Sequence, residues 1–469
     1  MDDKMLEYGV NKEQYEALDI SKSIAVRAGA GSGKTRVLTK RYLRLLKEVS
    51  DIDIKNIVAI TFTDKAALEM KERIRKAISQ EMASDNITLA NINTIHGFCS
   101  KLIRENFYYL GVDPHFKVIE DVDRETNLRR LADETVDNFF SKKECRDEVN
   151  TLLEIYTSSA VIEGELAEGI LASYNKIREK GLDISEAYRL TSMPNKLDFL
   201  NRLEIEYEEP IMEQLNIVEM LALDIIKKLD AGYKRFKTEN NVLDFNDLEL
   251  LTDKLLEEER IRDRYRNNYR FILVDEAQDI NALQKRIIYK LAADGKGNIE
   301  PGKLFIVGDH KQSIYGFRGT DYTIFDRICQ DISEKGEVKL LSNCYRSTSQ
   351  IIGTVNGVFS KLIDPYEALK VPVDREVRTG ERTELILLEK HEEDNSSKNA
   401  WEKVKNLLGN DDKQEELKSA LLELEKEEGP KIGNDDIQSR AIAGRIAKLV
   451  EEGCDYQDIA IELRSRTHL

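Results

Sequence analysis

The sequence predicts an α/β fold: a parallel β-sheet covered by helices on both faces and interrupted by a helical inserted domain. Three observations carry this. Short apolar runs rich in β-branched residues recur at 23–28 (SIAVRA), 57–62 (IVAITF), 271–275 (FILVD) and 304–308 (LFIVG). Continuous hydrophobicity of this kind marks strands buried on both faces. The first two runs are followed by segments of helical periodicity, TRVLTKRYLRLL and AALEMKERIRKAI, the alternation that generates parallel sheets. The long segment 112–240 differs: it is acidic, rich in Leu, Glu, Lys and Tyr, and has few strand signals, so it reads as helices inserted between two parts of the sheet.

The first run leads into AGAGSGKT at 28–35, which then opens a helix. This fits the phosphate-loop pattern, with Ala28 in place of the first glycine. Gly29, Ala30, Gly31, Ser32 and Gly33 allow backbone N–H groups to curl around phosphate oxygens, and the helix N-terminus adds a favourable dipole. The pattern assigns Lys34 to the β- and γ-phosphates and the Thr35 hydroxyl to Mg²⁺. The third run ends in DEAQD at 275–279. Asp275, at a strand end, suits a second metal ligand, and Glu276 suits a base that orients and deprotonates an attacking water. Alone, either motif has a bland reading, a glycine turn or a solvated acidic loop. Together, behind buried strands, they imply a nucleoside triphosphatase.

Length and composition bound the rest. At 469 residues the chain has room for roughly three domains. Hydrophobic residues make up 41% and charged residues 34%, enough for a sizeable core under a highly charged surface. No apolar run reaches the length of a membrane span, and the acidic start MDDKMLEYGV has no hydrophobic signal core. The five cysteines are scattered without a CxxC pair, which favours inert thiols in a reducing cytoplasm over a zinc site or disulfide framework. Residues 392–428 hold 12 acids and 6 bases and read as an exposed acidic insertion. A helix (SRAIAGRIAKLVEEG) and a strand-like DIAIELRSR follow.

Further segments occur in a fixed order: TFTDKAALEM (61–70), TIHGFC (94–99), LDFNDL (243–248), DEAQD (275–279), VGDHKQSIYGFRG (307–319) and CYRS (344–347). With the phosphate loop they resemble the UvrD/Rep-type superfamily 1 DNA helicases. The stretch NTIHGFCSKLIRENFYYLGVDPHFKVIED is similar in style to the AddA and RecB subunits of helicase–nucleases. The resemblance implies RecA-like motor domains, ATP and Mg²⁺ as nucleotide and metal, and single-stranded or partly duplex DNA as partner, tracked 3′ to 5′. Residue by residue, it assigns Gln14 to the adenine edge, Gln312 to sensing the γ-phosphate, Arg346 to transition-state charge and Tyr345 to stacking near the base. Cys344 stands where the family usually has Asn, so the hydrogen bond of that Asn is expected to be lost. For DNA, the resemblance implies stacking by Phe62, Tyr315 and Phe317 and phosphate contacts from Lys65 and His96. By residue type alone, Phe62 and Phe317 would be core aromatics and His96 a satisfied buried histidine.

The implied organisation is a first RecA-like domain in two parts, 1–111 and 241–335, around the helical insertion 112–240. A partial second RecA-like domain spans 336–469. The family continues beyond the DIAIELRSR strand, so the chain is expected to be an N-terminal piece that binds nucleotide but unwinds little alone. A nuclease subunit, or a chain supplying the remaining half, is an implied partner. The alternative reading is a non-catalytic nucleotide-dependent DNA-binding module. Net charge is −17 over the whole chain, yet residues 22–110 hold 16 Lys/Arg against 9 Asp/Glu. The acidity therefore confines DNA to one strip of the surface rather than excluding it.

Overall fold

The computed structural model describes residues 2–81, 90–140, 163–182, 209–314, 322–363, 366–372 and 434–462, with Ile184, Ala187, Glu384 and Ile386. The chain divides into two compact units, Met1–Glu381 and Arg382–Leu469.

Among the described residues, the strands of the first unit are β1 (Ile24–Ala28), β2 (Ile57–Thr61), β3 (Asn91–Thr94), β4 (Lys117–Val118), β5 (Val242–Leu243), β6 (Phe271–Val274), β7 (Leu304–Gly308) and β8 (Glu337–Leu341). Six of them form one sheet in the order β3-β2-β6-β7-β1-β8, every neighbouring pair parallel. The four apolar runs form β1, β2, β6 and β7. All five residues of β2 and of β7 are buried, as helices on both faces require. One face is closed by Phe98, Leu102, Ile287, Ile306 and Phe325, the other by Val37, Leu38, Tyr42, Met70 and Phe305. Burying each such side chain contributes about 1.5–3 kcal/mol before chain entropy is subtracted.

Two strands of this sheet carry no apolar run. β3 reads NINT and sits at one edge; β8 reads EVKLL and forms the other edge beside β1. β8 lies beyond residue 335, yet it is hydrogen-bonded to β1 from Ile24↔Glu337 to Ala28↔Leu341. The first sheet thus extends into the segment assigned by resemblance to the second motor domain.

The remaining two strands, β4 and β5, pair in parallel and tie the entry and exit of the helical segment together. Between them lie helices Asp121–Phe140, Glu163–Glu179 and Glu209–Asn240, packed around Leu128, Tyr174, Ile226 and Tyr233. A buried charge cluster joins these helices to helix Phe245–Leu255. Arg178 Nη2 donates to Asp244 Oδ1 at 3.1 Å and Asp247 Oδ1 at 2.7 Å, and Lys237 Nζ donates to Asp247 at 2.6 Å. Asp244 also caps helix Phe245–Leu255 by accepting from the Asp247 N–H. Burial pushes the Asp244 carboxyl up, but Arg178, Lys237 and that N–H outweigh it and hold the group down at about 2.

The second unit contains helix Asn434–Glu451 and the short turn Tyr456–Asp458, with Arg445 paired to Glu384 at 2.7 Å. The strand expected at 458–466 is not formed over 459–462. No hydrogen-bonding ladder reaches it among the described residues. The acidic insertion 392–428 lies outside the described residues.

Candidate functional site

The sheet order lays the motifs out along one edge. Reading across the carboxyl ends of the strands, β3 leads to His96, β2 to Phe62, β6 to Asp275 and Glu276, β7 to Gln312, β1 to the phosphate loop and β8 to Arg346. Residues far apart in sequence become neighbours because parallel strands need long crossovers.

At the β6-β7-β1 end the side chains meet. Lys34 Nζ is 2.8 Å from Glu276 Oε2 and 3.2 Å from Gln312 Oε1. Thr35 Oγ1 donates to Asp275 Oδ2 at 3.2 Å. Gln278 bridges the motifs: its Nε2 donates to Glu276 Oε2 at 3.0 Å and its Oε1 accepts from the Asp309 N–H at 3.0 Å. Gln312 Nε2 in turn donates to Asp309 Oδ2 at 2.8 Å. Glu276 sits in the left-handed region at φ 48°, a conformation costly for a residue with a Cβ and found where the surroundings dictate it. Burial, then the Glu276 charge, pushes the Asp275 carboxyl up to about 6 despite Lys34 and Thr35. The same two causes raise Asp279 to about 6. Among the described residues, its buried Oδ1 has no hydrogen-bond donor.

The residues present fit a divalent cation. Thr35 and Asp275 offer hard oxygen ligands in contact with each other, in a pocket where carboxylate charge is under-compensated. Among the described residues no group of three or more His, Cys, Asp or Glu forms a complete cage. This donor set matches a cation completed by ligand phosphates and water, as Mg²⁺ prefers.

The loop itself is shaped by glycine at two points. Gly33 caps helix Lys34–Glu48 at φ 91°. Gly31 is at φ 70°, and a Cβ there would lie 2.6 Å from Arg346 Cβ and 3.0 Å from Cys344 Sγ. The turn Cys344–Arg346 is therefore docked directly on the loop, with the Tyr345 N–H donating to the Gly31 carbonyl at 2.8 Å. Arg346 and Tyr345 are exposed. Cys344 is buried and its Sγ accepts from the Ser347 N–H at 3.5 Å.

Gln14 lies beside the loop, but its amide is committed within the protein. Nε2 donates to the Ser32 carbonyl at 2.9 Å and Oε1 accepts from the Asn11 N–H at 3.3 Å. It is 4% exposed, and these bonds use one of its two Nε2 hydrogens and one of the two Oε1 lone pairs.

At the β2-β3 end, Phe62 is half-buried and shares a cleft with Asp275, Glu276 and Asp279. Lys65 is exposed on helix Asp64–Glu81. His96 is half-buried; its Nε2 lies 3.0 Å from Glu249 Oε1 and its ring packs 4.4 Å from Phe245. Tyr315 and Phe317 lie outside the described residues. Sequence reasoning misses three contributors. Phe245 stands 36% exposed against His96; the available signal is the aromatic inside LDFNDL. Glu249, whose carboxylate also accepts from Asn281 and Gln284, has no local signal. Neither has Glu13, which accepts from Ser342 beside the Cys344–Arg346 turn.

Residues 10–333 match the family model of the UvrD/REP helicase N-terminal domain. The chain is 26% identical to an ATP-dependent helicase/nuclease subunit of Lactobacillus helveticus, over 75% of this chain and 40% of that protein. It is 26% identical to the subunit of the same name from Clostridium novyi, over 97% of this chain and 48% of that one. To the ATP-dependent DNA helicase PcrA of Staphylococcus aureus it is 30% identical, over 74% of this chain and 40% of PcrA. The chain thus spans less than half the length of each of these relatives. The family match covers the described edge from Gln14 to Gln312, and the chain belongs to the UvrD/REP helicase N-terminal domain family.

Proposed function

We propose that this chain is the ATP-binding motor part of an ATP-dependent DNA helicase acting on single-stranded DNA in repair or recombination. The observation that carries this reading is the shared sheet edge. The Lys34–Glu276–Gln312 cluster and Phe62 converge on the acidic loop after β6, so a change at the phosphate end has a short path to the nucleic-acid end.

In this reading the Lys34–Glu276 ion pair is the resting arrangement. ATP draws Lys34 onto its β- and γ-phosphates, which frees the Glu276 carboxylate. Glu276 then takes a proton from water as its oxygen bonds to the γ-phosphorus and the bond to the β–γ bridging oxygen breaks. Gln312, hydrogen-bonded to Lys34 and Asp309, follows the same displacement. Arg346 meets the charge that develops on the γ-phosphoryl oxygens. Thr35 and Asp275 would hold Mg²⁺, which neutralises phosphate charge when bound. Tyr345 and Gln14 border the base.

On the other side, Phe62 and Phe245 offer ring faces for bases, and His96 and Lys65 offer contacts to phosphates. Tyr315 and Phe317 join that track by resemblance. A cytoplasmic setting is supported by the four described cysteines, all free. Among the described residues no helix is long and apolar enough to cross a membrane. A chain supplying the remainder of a longer relative, or a nuclease subunit, is the proposed protein partner. Lys34→Ala tests the reading: DNA-stimulated ATP turnover should be abolished, and undiminished turnover would sink it.

A further inference from the structure

The first turn of the short helix Lys12–Glu16 touches both sides of the nucleotide site. Gln14 Nε2 holds the Ser32 carbonyl of the phosphate loop, and Asn11 Nδ2 donates to the Tyr345 hydroxyl at 2.5 Å. Between them stands Glu13. Its Oε1 accepts from the Ser342 hydroxyl at 2.7 Å, and its Oε2 accepts from the Ser342 N–H at 3.0 Å, with Asn343 Nδ2 at 3.4 Å. Ser342 is 5% exposed, so water competes little for these charge-assisted bonds. The turn is itself rigid, because Asn11 and Gln14 form a reciprocal capping box.

The far side of the same segment is also fixed. The Lys370 N–H donates to the Ser342 carbonyl at 2.8 Å and the Cys344 N–H to the Lys370 carbonyl at 2.7 Å. Asn356 holds the neighbouring Leu369 backbone in both directions, at 2.8 Å and 3.1 Å. Residues 342–344 are therefore held between Glu13 and Lys370, immediately before the turn that docks on Gly31. Glu13 supplies the carboxylate of this ring, bonded to Ser342 and Asn343. Without it the Ser342 N–H is left buried without its acceptor, and the segment must shift to find another.

We propose that Glu13 is a positioning residue whose carboxylate sets the Cys344–Arg346 turn against the phosphate loop and so fixes where Arg346 meets the γ-phosphoryl group. This rests on the reading of Arg346 given above. The prediction is a loss specific to the transition state. The measurement is the affinity of the full chain, with Mg²⁺, for ADP and for ADP plus aluminium fluoride, a mimic of the transferring phosphoryl group. Glu13→Ala should weaken the aluminium fluoride complex at least tenfold while changing ADP affinity less than twofold. Glu13→Gln, which keeps the volume and one acceptor, should fall between. Ser342→Ala should cost less, and combined with Glu13→Ala the losses should be smaller than their product.

Equal losses for both ligands, or none for either, would overturn the assignment, as would losses that multiply. Arg346→Ala, measured alongside, separates the two levels. If that variant keeps the full preference for the aluminium fluoride complex, the reading of Arg346 fails and the positioning role falls with it. A parent chain with no such preference has the same consequence. If Arg346→Ala loses the preference and Glu13→Ala keeps it, only the role of Glu13 is refuted.

Discussion

Replacing Gly31 by alanine isolates the contact between the phosphate loop and the arginine turn. The residue sits at φ 70°, and the new methyl would lie 2.6 Å from Arg346 Cβ and 3.2 Å from the Arg346 nitrogen. Neither neighbour is the far end of a flexible chain, so the turn itself must move. The left-handed conformation costs an alanine about 1–2 kcal/mol. Moving the turn also sacrifices the hydrogen bond from the Tyr345 N–H to the Gly31 carbonyl, worth about 0.5–1.5 kcal/mol. The total is about 1.5–3.5 kcal/mol, and at about 1.4 kcal/mol per factor of ten it lowers the docked population roughly 10- to 300-fold. Steady-state ATP turnover should fall by that factor, and urea unfolding should show a loss of about 1–2 kcal/mol from the backbone conformation. Gly295→Ala serves as the control, since no atom of the described residues lies within 4 Å of the added carbon; it should match the parent in both assays. If Gly31→Ala turns over within twofold of the parent and unfolds at the same urea concentration, the turn is not docked on the loop and the geometry described for Arg346 is wrong.

The buried charge cluster that joins the inserted helices to helix Phe245–Leu255 makes a pH prediction. Asp244 is held down at about 2 against an ordinary value of 3.8, so the unfolded chain takes up its proton first as pH falls. Its contribution is fully present above about pH 4 and is lost as pH falls through about 2. Acid unfolding followed by circular dichroism should therefore steepen in that window for the parent, and Asp244→Asn should flatten it. Arg178→Met should cost about 3–5 kcal/mol in urea unfolding at neutral pH, because it leaves Asp244 and Asp247 buried with one cation fewer. Phe245→Ala should weaken oligodeoxythymidylate binding by about 1–3 kcal/mol in a fluorescence anisotropy titration. Lys65→Ala should instead lower the slope of log affinity against log salt by about one. An unchanged slope would remove Lys65 from the phosphate contacts.

What can be read from the sequence is what is local in it. The phosphate loop and the DEAQD motif are contiguous, and their strands are continuous apolar runs because helices cover both faces. β3 escapes such a reading because NINT has no apolar run: only its first two residues are fully buried at the sheet edge. The resemblance puts β8 in the other half, because its partner β1 lies more than 300 residues upstream and nothing in EVKLL specifies which sheet it joins. The same distance hides Glu13, whose acceptor role depends on Ser342, 329 residues away. His96 is assigned to DNA by its motif, but its orientation is set by Glu249, 153 residues downstream. Gln14 shows the converse: the motif is recognisable, yet only packing reveals that both ends of its amide are already engaged.

In the proposed reading, one sheet edge couples cleavage of ATP at the β6-β7-β1 end to single-stranded DNA at the β2-β3 end. ATP turnover by the full chain, titrated with oligodeoxythymidylate, tests it most directly in the parent and in Glu276→Gln. Turnover should rise severalfold with DNA in the parent and be lost with and without DNA in Glu276→Gln while nucleotide still binds. Turnover indifferent to DNA, or retained by Glu276→Gln, would contradict this reading.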